Sequence, residues 1–513
     1  MLTILDMPTT DGAENENKYK VSIVIAHYNA GDKINKNLEH LANQTMNQDD
    51  FEVIVVDDKS PNGIENIRAF SDRIKNLKVL VETKNNGYPS IPRNHGIDSA
   101  LGEFIQIIDQ DDYIAEDALE KMYGFADGTS DVIIPKYEEG DNFKGTQAPF
   151  KKGTILNATV YDHIISPLAP HKMFKRSLLN EMNIRFFSHD YIPVAEDQVF
   201  VMRVYSVTKQ ISILADKSYY FWTDQDEHLG SSERYQINEP YKAINILKEV
   251  LQALNSSPVF TIPEKEYAIA TYVGRFVGQQ AGGIVSLANQ MSTILERDYL
   301  IKEMSHLIQK FLSPRIINAV REKSMYLTYG LYYGLNYDEL KAMQADILNS
   351  TPVNVKIGRS GVYREIEISN RVFQIPVNFL NQEKIKLVGF YFDNAGQVGI
   401  SINIFNDLLP TSDFTATLEI IQRHGLQRLK VEPTPNEIIN NEQFHFPIDS
   451  LTNHGNAVYD FHVCIRRGDL IKRYRIGKEM NEKLVHLGLL HKNDKQLKFY
   501  STVGKYLAVE VKD

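Results

Sequence analysis

Apolar positions across residues 20–235 follow two rhythms that take turns. Lys20-Val-Ser-Ile-Val-Ile25 is a β-branched run of one strand's length, ended by a turn at Asn29-Ala-Gly31. Ile34, Leu38 and Leu41 then recur at helical spacing. Phe51-Glu-Val-Ile-Val-Val56 is a second strand, stopped by Asp57-Asp58-Lys59-Ser60-Pro61. A helix near Ile64 to Phe70, a strand at Lys78–Val81 and a Gly/Pro/Asn-rich loop follow. Next come a helix through Pro92 to Ala100 and a strand at Glu103-Phe-Ile-Gln-Ile-Ile108. Such alternation predicts an α/β unit built on a mostly parallel sheet with helices on both faces. Ligands of these sheets bind beyond the carboxyl ends of the strands, where the acidic clusters of this chain fall.

The texture changes twice more. Over 236–350, Ile244, Leu247, Val250, Leu251 and Leu254 keep one helical stripe, and similar stripes follow, which predicts an α-helical linker domain. Over 351–475, alternating segments such as Tyr363–Ile368, Ile385–Phe390 and Thr415–Ile420 are separated by turn residues, the pattern of a β-sandwich. Residues 476–513 read as a partial second β unit and a candidate oligomerisation segment, and residues 1–19 as a polar tail without the form of a signal peptide.

Composition narrows the function. No run of 18 apolar residues occurs, and the net charge is −10, so a membrane span and a general nucleic-acid binder are both disfavoured. At most a peripheral membrane contact is expected. One cysteine, Cys464, precludes an internal disulfide and agrees with a cytoplasmic setting. Against the acidic whole, Lys472, Arg473, Arg475 and Lys478 crowd together. They read as a protected strand edge or as a docking surface for an anionic polymer or membrane.

The chemistry concentrates after the strands. In Ile107-Ile-Asp-Gln-Asp-Asp112, extended geometry would put Asp109 and Asp111 on one side, roughly 7 Å apart. Two such carboxylates can grip a divalent cation and a diphosphate, and oxygen ligands suit Mg²⁺ or Mn²⁺. Asp57 or Asp58 can accept from a uracil imide or a ribose hydroxyl, or cap the next helix. The loop Asn85–Asn94 is rich in donors, and the Arg93 fork suits a pyrophosphate. Glu196 and Asp197 open a helix, where the dipole favours acids; Asp197 is the candidate base that takes a proton from an attacking hydroxyl. His228 follows the apolar Tyr219–Trp222 and can complete a metal shell.

The order of these signals is more specific than any one of them. Val24–Asn29, Val55–Asp58, Asn85 with Pro92-Arg93-Asn94, Asp109–Asp112, Ala195–Asp197 and His228 together resemble the inverting family 2 glycosyltransferases of GT-A fold. Ser166-Pro167, His171-Lys172, Arg176, Ala195–Gln198 and Glu227-His228 with Ser231-Ser232 are similar to staphylococcal wall teichoic acid β-N-acetylglucosaminyltransferases. Phe390–Asn394 and the region of Arg475 resemble the first C-terminal sandwich of that group.

The resemblance implies a Rossmann-like domain that binds a nucleotide sugar, a UDP-N-acetylglucosamine donor, Mn²⁺ or Mg²⁺, and a poly(ribitol phosphate) acceptor. It implies donor contacts at Ala26, Tyr28, Asp57, Asp58, Asn85, Arg93, Asp109 and Gln110, and metal contacts at Asp109, Asp111 and His228. It further implies Asp197 as base with Glu196 beside it, acceptor contacts at Lys172 and Arg176, and a homotrimer formed by the C-terminal region. Ala26-His27 departs from the family's usual Pro-Thr, and the loop Gly87–Ile91 carries fewer glycines than usual.

Overall fold

The computed structural model describes residues 3–4, 17–126, 128–138, 146–223, 239–278 and 283–349 of the N-terminal part. Of the C-terminal part it describes 355–358, 361–369, 371–376, 383–392, 396–406, 415–423, 427–434, 441–453, 455–467, 470–476, 479–480, 489–492, 494–501 and 506–512. Contacts divide the chain into two units, Met1–Ala345 and Asp346–Asp513.

The first unit is organised by an eight-stranded mixed sheet. Its order is Thr3–Ile4, Leu77–Val81, Phe51–Asp57, Tyr19–His27, Gly102–Asp109, Met173–Lys175, Val132–Pro135 and Ile211–Leu214. Leu77–Val81, Phe51–Asp57, Tyr19–His27 and Gly102–Asp109 run parallel, and Met173–Lys175 lies antiparallel between its two neighbours. Phe51–Asp57 is buried along its whole length, as expected for a strand covered on both faces, and this explains its uninterrupted β-branched run.

Register then does the functional work. Ala26 pairs with Asp109 and His27 with Asp57, so three neighbouring strands end level with one another. Past these ends the chain must turn. Asn29 and Gly31 take positive φ, 46° and 58°, as the predicted turn requires. The helix Ser90–Ser99 sits so close over the sheet that a Cβ on Gly96 would lie 2.4 Å from Val24 Cγ1. That approach sets the depth of Arg93, one turn earlier on the helix.

Helices Pro240–Ser256, Ile262–Gly278, Ile294–Phe311 and Glu322–Tyr332 belong to the same unit as the sheet. Leu247, Val250, Leu251 and Leu254 of the predicted stripe are fully buried and Ile244 is 9% exposed, with Ala243 and Ile246 buried beside them. Thr293 and Glu296 form a reciprocal cap at the start of Ile294–Phe311. No helix among the described residues is long and apolar enough to cross a membrane.

The second unit is a sandwich, joined by a three-stranded sheet of Val355–Gly358, Gly361–Ile368 and Arg371–Pro376. One sandwich layer orders Asn441–Pro447, Gln397–Asn406, Glu383–Phe392 and Glu479–Met480. The other runs Arg428–Val431, Thr415–Gln422, Ala457–Arg467, Leu507–Lys512, Lys495–Ser501 and Leu489–Lys492, with Leu470–Arg475 also on Ala457–Arg467. Leu387, Ile400, Leu418 and Phe461 share their core with Leu497, Phe499, Leu507 and Val509. The described strands of the segment 476–513 therefore pack into this same sandwich core. Strand-to-strand apolar alternation only closes into a core once these last strands supply half of one layer.

Candidate functional site

Beyond the level strand ends lies a network of carboxylates around one arginine. Arg93 is 6% exposed; its Nη2 donates to Asp109 Oδ1 at 2.7 Å and its Nη1 to Glu196 Oε1 at 3.3 Å. Its guanidinium also lies 5.2 Å from the ring centre of Phe186. Burial alone would lower the arginine, but Asp109 and Glu196 outweigh it and raise it. One side chain thereby joins the end of the strand Gly102–Asp109 to the start of the helix Glu196–Tyr205.

That helix starts from strain. Ala195 holds φ 62° and ψ 24°, a left-handed conformation rare for a residue with a Cβ, and it delivers Glu196 and Asp197 into the pocket. Asp197 Oδ1 accepts from the Gln198 N–H at 2.7 Å. Burial pushes the Glu196 carboxyl up to about 7, with Asp197 adding to the rise, and burial raises Asp197 as well. His171, Arg93 and Arg275 act on Asp197 in the opposite direction. A carboxylate whose proton affinity is lifted toward neutrality is suited to general-base work.

Asp109 is held the other way. His171 Nε2 lies 2.9 Å from Asp109 Oδ2, and with Arg93 it overrides burial and keeps the carboxyl well below the usual range. The sequence pattern expects Asp111 to share a side with Asp109, but the chain turns at Gln110: the Asp112 N–H reaches the Asp109 carbonyl at 3.2 Å. Alternation along a strand therefore stops at Asp109, and Asp112 comes to its side instead. Ligand atoms of Asp109, Asp112 and His171 lie within 4.8 Å of one another. Asp112 accepts from the Tyr220 hydroxyl at 2.6 Å and the Thr223 N–H at 3.0 Å, and burial pushes it up to about 7.

Two carboxylates and an imidazole suit Mg²⁺ or Mn²⁺. Asp111 is half-buried, makes no ion pair among the described residues, and has its carboxyl raised by burial and by Asp109. A cation would relieve that crowding, so the donor set fits a divalent metal. His228, expected in the metal shell, lies outside the described residues, as does Glu227.

The remaining expected residues divide. Tyr28, 45% exposed, donates its N–H to Gln110 Oε1 at 2.8 Å, and Ala26 borders Asp109 in the sheet. Asp58 accepts from the Asn86 N–H and side chain and from the Gly87 N–H at 2.7–3.0 Å, pinning the loop that carries exposed Asn85. Asp57 accepts from Ser60 N at 3.0 Å and lies 2.8 Å from His27 Nδ1. Asp58 thereby shapes the Asn85–Gly87 loop, and Asp57 the turn at Ser60.

The two acceptor-contact expectations change. Lys172 is fully buried, its Nζ on the Ala169 carbonyl and 3.3 Å from Tyr137 Oη, and burial pushes it down to about 7. It supports the pocket floor near Asp197 and has no surface with which to meet a polymer. Arg176 donates to the carbonyl of Gly102 and to Asn17, at the opposite end of the strand that finishes at Asp109. A strand of that length separates it from the pocket by roughly 20 Å. His171, Asp112, Tyr220 and Trp222 were missed as site residues. A turn after Asp109 brings Asp112 to it, the strand Met173–Lys175 beside Gly102–Asp109 brings His171, and the pairing of Tyr220–Phe221 with Tyr113–Ile114 brings Tyr220 and Trp222.

Comparison with known proteins agrees with this geometry. The model of glycosyl transferase family 2 matches residues 22–182. The chain is 38% identical over 242 residues to the poly(ribitol-phosphate) β-glucosyltransferase of Bacillus spizizenii, which covers 46% of this chain and 37% of that protein. It is 33% identical over 261 residues to the poly(ribitol-phosphate) β-N-acetylglucosaminyltransferase TarP of Staphylococcus aureus, covering 49% of this chain and 77% of TarP. The crystal structure of S. aureus TarS shares the fold, with TM-score 0.62 at 21% identity over 96% of this chain and 85% of TarS. TarS 1–349 in complex with UDP-GlcNAc superposes with TM-score 0.61 at 25% identity over 69% of this chain and 99% of that one. The Asp109–Arg93–Glu196 bridge on a GT-A sheet, together with these likenesses, establishes that the chain belongs to glycosyl transferase family 2, in the group that contains TarS and TarP.

Proposed function

We propose that this enzyme transfers a sugar, GlcNAc before others, from a UDP-sugar to hydroxyls of a poly(ribitol phosphate) cell-wall polymer with inversion. The observation that carries the reading is the Arg93 bridge, which puts the acidic strand end and the raised Asp197 in one pocket. Asp197 takes the proton of the attacking hydroxyl, its proton affinity raised by burial. Arg93 and the Asn85–Gly87 loop lie where the diphosphate and nucleotide of the donor bind. Asp109 and Asp111, with Asp112 and His171 beside them, would hold a divalent ion, and His228 is the further ligand that the resemblance implies. That ion, when bound, neutralises charge on the departing diphosphate.

The acceptor and the sugar rest on the relatives' names: TarP is an N-acetylglucosaminyltransferase and the Bacillus relative a glucosyltransferase. A cytoplasmic site of action agrees with a nucleotide-sugar donor and the single Cys464. Assembly as a homotrimer through the C-terminal unit, expected from the resemblance, is checked by sedimentation; a monomer removes it. The central test offers UDP-GlcNAc, UDP-glucose and UDP-galactose with poly(ribitol phosphate), with and without Mn²⁺. Expected is polymer labelling from UDP-GlcNAc that vanishes with chelator. Labelling that survives chelation removes the metal assignment, and no labelling from any UDP-sugar overturns the transferase.

A further inference from the structure

The pocket has one aromatic wall that the reaction so far leaves unused. Trp222 is the only tryptophan of the chain. It lies just past the strand Tyr220–Phe221, and the residues around it in sequence fasten this stretch to the acidic cluster. Tyr220 gives its hydroxyl, and Thr223 its N–H, to the two oxygens of Asp112. The indole stands nearly perpendicular to the His171 ring, 5.4 Å away at 73°, and to Tyr137, 6.2 Å away at 70°.

Those two neighbours belong to the two ends of the reaction. His171 is bonded to Asp109 at the strand end. Tyr137 faces the ammonium of Lys172, and both lie within electrostatic reach of Asp197. Exposure completes the picture. Tyr137, Tyr220 and His171 are at most 3% exposed, whereas Trp222 is 37% exposed beside this buried aromatic floor.

In an inverting transfer, the attacking hydroxyl and the leaving diphosphate stand on opposite sides of the anomeric carbon. The transferred ring therefore occupies the space between Asp197 and the acidic strand end, which is the space Trp222 borders. We propose that the indole of Trp222 is the platform on which the transferred hexopyranose packs, through the apolar C–H face of the ring. Aromatic walls with a few polar groups are how such pockets orient ligands. The inference rests on the transferase reading and adds the residue that distinguishes the sugar from the nucleotide.

Because Trp222 is unique, its emission reports the site in the unmodified protein. Titration with UDP-GlcNAc should shift or quench the emission beyond the change that saturating UDP produces. Trp222→Ala should raise KM for UDP-GlcNAc hydrolysis about tenfold or more while leaving inhibition by UDP within about twofold, and Trp222→Phe should recover most of the loss. Identical emission changes with UDP and UDP-GlcNAc, or a Trp222→Ala enzyme with unchanged KM, overturn the platform and leave the transferase standing. Loss of UDP and UDP-GlcNAc affinity in equal proportion also overturns it. A wild type that binds neither nucleotide overturns both readings.

Discussion

Both units of the chain tie carboxylates to arginines, and the two networks have opposite balances. In the sandwich, buried Glu419 is paired by Arg428 and Arg473, and Asp460 by Arg423 and Arg475. Burial would raise both acids, yet the two arginines on each pull them below their ordinary values. In the pocket of the first unit the ratio is reversed. Arg93 bridges Asp109 and Glu196, with Asp111, Asp112 and Asp197 close by, and all of these acids except Asp109 are raised. A saturated network holds strands together. An under-compensated one stores affinity for protons and cations, and that is the state chemistry needs.

The comparison can be broken at several points, and the largest effect is expected at the base. Asp197→Asn should lower transfer by about 10²–10⁴-fold with UDP binding retained, measured by polymer labelling and by calorimetry. Near-normal turnover would remove Asp197 from its role. Next is Arg93→Met, which leaves the buried acids uncompensated; a cost of about 3–5 kcal/mol in urea melts is expected, with donor binding lost. A mutant as stable as the wild type would mean the acids are neutralised in some other way.

The pH profile sharpens the contrast further. As the proposed base Asp197 works ionised, and burial raises it, so the acid limb of kcat/KM should lie above the ordinary carboxylate range. Glu196→Gln removes a neighbouring negative charge, makes Asp197 easier to ionise, and should move that acid limb to lower pH. A limb that stays put, or moves up, contradicts the coupling. The smallest effect belongs to the sandwich. Glu419→Gln, whose arginines are 40% and 41% exposed, should cost only about 1–2 kcal/mol after solvent screening and change transfer less than about twofold.

Much of the fold was legible in advance. The runs Lys20–Ile25, Phe51–Val56 and Glu103–Ile108 became neighbouring parallel strands, and the stripe from Ile244 to Leu254 became one buried helix face. Asp197, Glu196, Arg93 and Asp109 do converge. The shared side expected of Asp109 and Asp111 is not realised, because a turn beginning at Gln110 ends strand alternation and brings Asp112 to Asp109. Lys172 and Arg176 are both acceptor contacts by the resemblance. The direction of Met173–Lys175, antiparallel beside Gly102–Asp109, buries one under the pocket and carries the other to the opposite end of the strands.

What the sequence determined alone is therefore what a few adjacent residues can enforce: strands from β-branched runs, helix faces from spacing, and acids placed just after strands. Those preferences act over one or two turns and need no partner. The Arg93 contacts to Asp109 and Glu196 span 16 and 103 residues, and Tyr220 reaches Asp112 across 108. Such pairings exist only once the sheet has set its register, because burial and charge act through space and not along the chain.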